Sequence, residues 1–155
     1  MSLLRGQPAI EAVQKILEEA NPFPCVEVDP DALDGKPITI ICVGPSEDTI
    51  LIDARQTPGL GEELASRQLL GAYQAKLTHR ALMRTFNIAP ARWACAMLVE
   101  QLIAGGRRIP LELEAMAERY LGKTMPQADE GFEAIRQRTQ GIAALLKCQI
   151  ECINE

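Results

Sequence analysis

Residues 25–34 read Cys-Val-Glu-Val-Asp-Pro-Asp-Ala-Leu-Asp, a short apolar run that passes into a row of carboxylates. Two further apolar runs follow at 37–43 and 49–53, and the gaps between the runs are rich in the turn formers Pro, Gly and Asp. Runs of this length between turn signals predict strands, here 25–29, 37–43 and 49–53, paired in sequence as a β-meander. The middle run is apolar almost throughout, so we expect that strand to be buried on both faces.

Apolar residues recur at helical intervals both before and after the predicted meander. Before it, apolar residues recur at helical intervals from Ile10 to Ala20, behind a Pro8 suited to a first turn. After it, the same spacing predicts helices over 58–70, 77–86, 93–104 and 111–121 and from Phe132 to the end, with a short buried strand over 69–73. Strands that give way to alternating helices are typical of an α/β fold layered around a mixed sheet.

The composition is that of one globular domain of 155 residues, 47% hydrophobic and 24% charged. We assign 1–21 to an N-terminal helix, with an added tag as the alternative interpretation of its first residues, and 22–155 to the core. No apolar run approaches the roughly 20 residues of a membrane span, so we expect no membrane partner. Five cysteines without a CxxC pair, beside one histidine, argue against a zinc site and predict a reduced, cytoplasmic protein.

Charge is distributed unevenly along the chain. Residues 1–63 hold twelve acids and four bases, whereas residues 64–99 hold five bases and no acid. Lys76, Arg80 and Arg84 are spaced four apart and share one face of the helix predicted there, where they are available to phosphates. We predict that these three residues bind single-stranded DNA weakly and in a salt-sensitive manner; a solvated helix face is the alternative.

Glu27 and Asp29 form a pair of acids at the end of the first predicted strand. Residues two apart in a strand point to one face, so both carboxylates are available to a single cation. Hard divalent ions prefer such oxygen ligands. Acids at strand ends also serve as turn residues, and the sequence leaves both interpretations open.

Five segments, in this order, resemble the signatures of the DEDD-type 3′–5′ exonucleases, the superfamily of RNase D and the proofreading domain of family-A DNA polymerase I. They are 25–34 for the first signature, 37–43 with 49–53 for the next two strands, 71–82 for the second signature, 93–105, and 111–122, which ends in Ala-Glu-Arg-Tyr-Leu-Gly. The resemblance covers about residues 22–152. It implies an RNase H-like mixed sheet, an antiparallel meander followed by parallel strands and flanked by helices.

The resemblance also implies a metal site, because these nucleases hold two divalent ions with four carboxylates. Glu27 stands where the family has Asp, and Asp29 where it has Glu. Thr78 and Thr139 stand where the other two carboxylates would be. The resemblance therefore implies a degenerate site, in which the remnant pair binds metal weakly or not at all. The alternatives for the last ligand are Asp129, Glu130 and Glu133.

A domain with such a site is expected to have lost its nuclease activity. We expect it to need no cofactor and to serve as a scaffold or weak nucleic-acid-binding domain, linked to a polymerase module C-terminal to residue 155. Two alternatives stay open at this point. One is an active two-metal 3′–5′ exonuclease that digests single-stranded DNA or RNA with Mg²⁺ or Mn²⁺. The other is an unrelated protein-interaction domain whose leucines only imitate the family's spacing.

Overall fold

Five short strands form one sheet: β1 Cys25–Val28, β2 Ile40–Gly44, β3 Ile50–Asp53, β4 Leu69–Ala72 and β5 Arg92–Cys95. In the computed structural model, which describes residues 2–20, 23–45, 47–67 and 69–154, their order is β3-β2-β1-β4-β5. The first three strands pair antiparallel in sequence, whereas β4 pairs parallel with β1 and β5 with β4. The predicted meander and mixed sheet are confirmed, and β1, which carries Glu27, is the central strand.

Seven helices cover both faces of this sheet in the described part of the chain. They are α1 Gly6–Glu19, α2 Pro30–Leu33, α3 Leu60–Ser66, α4 Ala75–Phe86, α5 Ala96–Ala104, α6 Leu113–Leu121 and α7 Phe132–Asn154. Side chains of α1 to α4 pack with Val26 and Val28 on one face. Those of α5 to α7 pack with Cys25 on the other. Within the described ranges, no helix is both long and apolar enough to cross a membrane.

The middle strand β2 is buried along its whole length, as its apolar sequence predicts. Ile41 and Val43 contribute to the core beneath α1 to α4. Ile40 and Cys42 contribute to a smaller cluster with Ile135 of α7. A strand without a solvated face has no place for polar side chains, which is why its sequence does not alternate.

The prediction of a helix over 93–104 is wrong in its first residues. Trp93 lies in β5, opposite Leu70 of β4, and the helix begins only at Ala96. A short strand that runs directly into a helix leaves no break in the apolar pattern, so periodicity extends the helix too far. The helix predicted over 58–70 is likewise shorter, because α3 ends at Ser66 and β4 begins at Leu69.

The N-terminal segment is joined to the sheet edge. Leu4 forms a parallel bridge with Ile52, and its backbone exchanges hydrogen bonds of 2.9 Å with Leu51 and Asp53. The boundary drawn between residues 21 and 22 lies outside the described residues. The assignment of 1–155 to a single domain stays a prediction.

Gly71 of β4 sets how closely α7 approaches the sheet. A Cβ at this position would lie 2.5 Å from the Cys25 sulfur and 2.9 Å from Leu146 Cδ1. Contacts that short are not tolerated, so the glycine lets α7 pack directly against β1 and β4. This close packing brings α7 over the central strand and its acidic residue.

Candidate functional site

Glu27 points from the centre of β1 toward α7 and meets a buried arginine there. Glu27 is 5% exposed and Arg138 7%, and the Arg138 Nε lies 3.6 Å from Glu27 Oε2. That distance makes the contact an ion pair and not a hydrogen bond. Among the described residues, neither of these two atoms has a hydrogen-bond partner. The acid of β1 is therefore paired with a cation that belongs to the chain itself.

The rest of the Arg138 guanidinium is held by two further groups. Its Nη1 donates to Glu114 Oε1 at 2.8 Å and to the carbonyl oxygen of Pro126 at 2.9 Å. Glu114 belongs to α6, and Pro126 to the loop that follows it. One buried side chain thus connects β1, α6, this loop and α7. Removing one partner of such a buried ion pair leaves an uncompensated charge, which costs about 3–5 kcal/mol.

Burial changes the acidity of Glu27. Burial raises the pKa of Glu27 from 4.5 to about 7, and the charge of Arg138 opposes this rise only in part. Desolvation of a carboxylate is expensive, and one ion pair beyond hydrogen-bonding distance does not replace the lost water. Near neutral pH, the carboxyl is therefore divided between its protonated and ionised forms.

The carboxylate of Asp29 has partners in the backbone. Its Oδ1 accepts hydrogen bonds of 2.9 Å from the amides of Thr39 and Ile40. Asp29 follows β1 and precedes the short helix that begins at Pro30, so its side chain ties the end of β1 to the start of β2. This is the turn role that the sequence left open. Glu27 and Asp29 have different partners, and their role as a remnant metal-binding pair stays a prediction.

Thr78 and Thr139, the threonines predicted to replace two carboxylates, lie on helices that cover opposite faces of the sheet. Thr139 follows Arg138 on α7 and is fully buried; its hydroxyl donates to the Ile135 carbonyl at 2.8 Å. Thr78 lies on α4 and donates to the Gln74 carbonyl at 3.3 Å. Both hydroxyls thus bond the preceding turn of their own helix. Cys42 of β2 lies opposite Glu27 in the sheet. Burial raises the pKa of the Cys42 thiol to about 12, and the neighbouring Thr139 hydroxyl opposes this rise in part.

The three acids considered as substitutes lie at the surface. Asp129 and Glu130 belong to a short 3₁₀ turn, and Glu130 accepts a hydrogen bond from the Gln127 amide at 3.2 Å. Glu133 pairs with Arg136, and this guanidinium lowers the pKa of Glu133. Their role as substitute ligands stays a prediction.

The donor set does not fit a pair of divalent metal ions. Among the residues described, no three His, Cys, Asp or Glu side chains are grouped so as to hold a metal. The acid of β1 faces a guanidinium, and Thr78 and Thr139, which are predicted to replace two carboxylates, offer only neutral hydroxyls bonded within their own helices. Divalent ions need several anionic oxygens around them. A positive charge among so few carboxylates opposes that arrangement.

The basic residues of α4 differ in their surroundings. Lys76, Arg80 and Arg84 are all exposed, but of the three only Arg84 has its side chain bonded to backbone groups within the described ranges. Arg84 donates from Nη1 to the carbonyls of Ala32 at 3.1 Å and Lys36 at 3.5 Å, so it helps to hold α2 and the turn after it. The three basic residues lie on one face of α4, as their spacing of four predicts. Their binding of nucleic acid stays a prediction.

Arg138 and Glu114 are the residues that sequence reasoning did not select. The apolar positions Ile135, Ile142 and Leu145 place residue 138 on the buried face of α7, because positions three and four apart share a face. An arginine in that stripe is a signal for a buried carboxylate partner. The sequence does not say which carboxylate it is.

Comparisons with known proteins support the fold. A scan against protein families finds no matching family, and a search of curated proteins finds no match. Solved structures do match: the POL domain of Pol1 from M. smegmatis, in complex with a DNA primer-template and dNTP, has a TM-score of 0.75 at 16% identity. Escherichia coli RNase D, an exoribonuclease, has a TM-score of 0.70 at 14% identity. Brucella melitensis NrnC with bound Mg²⁺ has a TM-score of 0.63 at 11% identity.

These matches extend over most of this chain but over different shares of the others. They cover 98%, 99% and 84% of this chain, and 27%, 45% and 70% of the M. smegmatis, E. coli and B. melitensis chains. The chain thus spans about a quarter of the first of these structures. The chain shares the fold of these structures, and the RNase H-like mixed sheet that the sequence signatures imply is confirmed.

Proposed function

We propose that the chain is a degenerate 3′–5′ exonuclease-like domain that is catalytically inactive and serves as a scaffold with weak affinity for single-stranded nucleic acid. The observation that carries this proposal is the Arg138 guanidinium, 3.6 Å from the carboxylate of Glu27. An exonuclease of this fold needs that acid for a metal ion. Here its counter-ion is an arginine that is buried and held by two other groups.

Electrostatic repulsion from Arg138 is a further argument against a divalent metal ion at Glu27. A divalent ion bound to Glu27 would sit within a few ångströms of the Arg138 charge, and a divalent–monovalent contact at 4 Å repels by several kcal/mol even in a partly solvated site. To make room, the guanidinium would have to leave Glu114 and the Pro126 carbonyl. The Thr78 and Thr139 hydroxyls are neutral ligands and would not offset the charge of a metal ion.

Asp29 supports the same conclusion. One of its carboxylate oxygens already accepts two backbone hydrogen bonds that hold β2 in register with β1. A metal that drew this oxygen away would leave the buried amide of Ile40 without a partner, which costs about 1–3 kcal/mol. The two backbone hydrogen bonds therefore explain why Asp29 is an acid without any catalytic role.

The scaffold role rests on the fold and on the neighbouring chains. Nearly the whole of this chain, 98%, matches 27% of the M. smegmatis chain, whose structure contains a DNA primer-template. We propose that the domain works beside a polymerase module C-terminal to residue 155, in DNA replication. The five cysteines, all within the described ranges, are free thiols, which supports a reducing cytoplasm as its location.

Weak nucleic-acid binding is proposed for Lys76, Arg80 and Arg84, with Arg84 contributing least because its guanidinium donates to two carbonyls. All three are exposed on one face of α4, in a stretch of chain without acidic residues. Two or three phosphate contacts release few counterions, so the affinity should be low and should fall steeply with salt.

A nuclease assay tests the proposal. The purified chain is incubated with 3′-labelled single-stranded DNA and RNA in Mg²⁺ or Mn²⁺, with Asp29→Ala as the matched variant. We expect no metal-dependent release of nucleotides from either substrate. Digestion by the unmodified chain that is abolished by Asp29→Ala would overturn the proposal in favour of an active two-metal exonuclease. Digestion that survives Asp29→Ala would identify a contaminating nuclease.

A gain-of-function series isolates the contribution of Arg138. The four changes Glu27→Asp, Asp29→Glu, Thr78→Asp and Thr139→Asp rebuild the family's acid set but leave the guanidinium in place. We expect calorimetric Mn²⁺ binding only when Arg138→Gln is added to these four. Equal Mn²⁺ affinity with and without Arg138→Gln would show that Arg138 is not what excludes the metal.

A further inference from the structure

An apolar groove lies between the first turns of α4 and α5, on the edge of the fold that β5 forms. It has a volume of about 270 Å³ and is lined by residues 74–77 and by Cys95, Met97 and Leu98. Leu98 is 59% exposed, and Leu102, one turn further along α5, is 74% exposed. We call these two leucines and the groove beside them the α4–α5 patch. Two exposed leucines next to an apolar hollow are a typical feature of an interaction surface.

The charge around the patch has one sign. Lys76 lines the groove, and Arg80 lies one turn further along α4. Among the residues that the structure describes, no acidic side chain lines the groove. Glu100, the one acid in the sequence of α5, is buried and pairs with Arg119 at 3.2 Å. The rim of the patch is therefore positive and fits a negatively charged partner.

The first turns of α4 and α5 carry partial charges of the same positive sign as the rim. Both α4 and α5 begin at the groove, and neither has an acidic residue in its first turn. The first turn of a helix carries a partial positive charge, which adds to that of Lys76. Carboxylates at the rim would thus be stabilised by Lys76 and by the first turns of both helices.

We propose that the α4–α5 patch binds an acidic amphipathic segment of a partner protein, whose apolar side chains cover Leu98 and Leu102 and enter the groove while its carboxylates meet Lys76. A second copy of this chain fits less well, because a symmetric contact would bring Lys76 and Arg80 against their own counterparts. Nucleic acid, proposed above to contact the basic side chains of α4, is a poorer occupant of the groove and the leucines, because aliphatic side chains offer no ring on which a base can stack. This inference does not depend on whether the acid site is active.

The test begins with a displayed library of short random peptides selected on the full chain. Selection is repeated on Leu98→Gln/Leu102→Gln, which removes the apolar contact without adding charge. The matched control is Ile153→Gln, an isoleucine at the end of α7 that is 53% exposed. Both variants alter exposed positions, and circular dichroism verifies that they fold.

We expect peptides with apolar residues at helical spacing and a net negative charge to be enriched on the unmodified chain and on Ile153→Gln. A synthetic copy of such a peptide should bind Leu98→Gln/Leu102→Gln at least about tenfold more weakly, as at an interface hot spot. It should also bind Lys76→Gln more weakly, with a smaller dependence on salt.

Three results would overturn the proposal. One is that no peptide is enriched, or that the enriched peptides bind the double variant equally well. Another is that a dT oligonucleotide binds the chain and loses affinity in Leu98→Gln/Leu102→Gln but not in Ile153→Gln, which would make the patch a nucleic-acid site. The last is self-association in sedimentation that the same double variant abolishes, which would make the occupant a second copy.

Discussion

Replacing Glu27 with Gln is expected to change how the stability of the protein depends on pH. Burial raises the pKa of Glu27 from 4.5 to about 7. A carboxyl with a raised pKa in the folded state holds its proton more tightly there than in the unfolded chain. Its contribution to stability is therefore fully present below about pH 4.5 and is lost as the pH rises through about 7.

The size of the effect follows from this shift. A rise from 4.5 to about 7 corresponds to about 3 kcal/mol, at about 1.4 kcal/mol for each pH unit. Glutamine keeps the shape and polarity of the protonated acid but does not titrate. The free energy of unfolding of Glu27→Gln, minus that of the unmodified protein, should thus rise by about 2–3 kcal/mol from about pH 5 to about pH 8.

Urea denaturation followed by circular dichroism at both pH values measures this difference. Glu133→Gln is the matched control: its carboxylate is exposed, and Arg136 lowers its pKa, so it is ionised in both states over this range. The difference in free energy of unfolding between Glu133→Gln and the unmodified protein should be the same at both pH values. If the Glu27→Gln difference also stays constant, Glu27 does not titrate here and the account of its burial is refuted.

Three further changes have defined outcomes. Arg138→Met should lower the free energy of unfolding by about 3–5 kcal/mol in urea denaturation, with Arg138→Lys intermediate; an unchanged value would mean that Arg138 and Glu27 do not depend on each other. Lys76→Ala with Arg80→Ala should weaken the binding of a fluorescent single-stranded DNA and make its affinity less dependent on salt. Arg84→Ala should mainly lower the free energy of unfolding, by about 1 kcal/mol, because its carbonyl contacts are lost. Gly71→Ala should lower the thermal midpoint through about 1–3 kcal/mol of overpacking against Cys25 and Leu146; a wild-type midpoint would contradict the close approach of α7.

The meander could be predicted because its signals are local. The runs over 25–29, 37–43 and 49–53 are separated by turn residues, and short strands that are close in sequence pair with one another. The start of β5 could not be predicted, because Trp93 to Cys95 continue without a break into the apolar pattern of α5. Only the pairing with β4, a contact between segments distant in sequence, distinguishes a strand from a helix there.

The site could be predicted only in part. The family resemblance selected Glu27, Asp29, Thr78 and Thr139, and their place in a degenerate metal site stays a prediction. The resemblance did not reveal the ion pair between Glu27 and Arg138, because these residues are far apart in sequence and meet only when α7 packs on β1. For the same reason, the spacing of Arg84 placed it on a helix face but did not show its carbonyl partners on and after α2.

Anomalous diffraction from crystals of the unmodified protein soaked in Mn²⁺ shows whether Glu27 and Asp29 bind a metal ion, because the Mn²⁺ signal locates the ion independently of any activity. We predict no anomalous peak at Glu27 and Asp29, with the Arg138 guanidinium still beside Glu27 and hydrogen-bonded to Glu114. A Mn²⁺ peak coordinated by both Glu27 and Asp29, with Arg138 displaced from its present partners, would contradict the account.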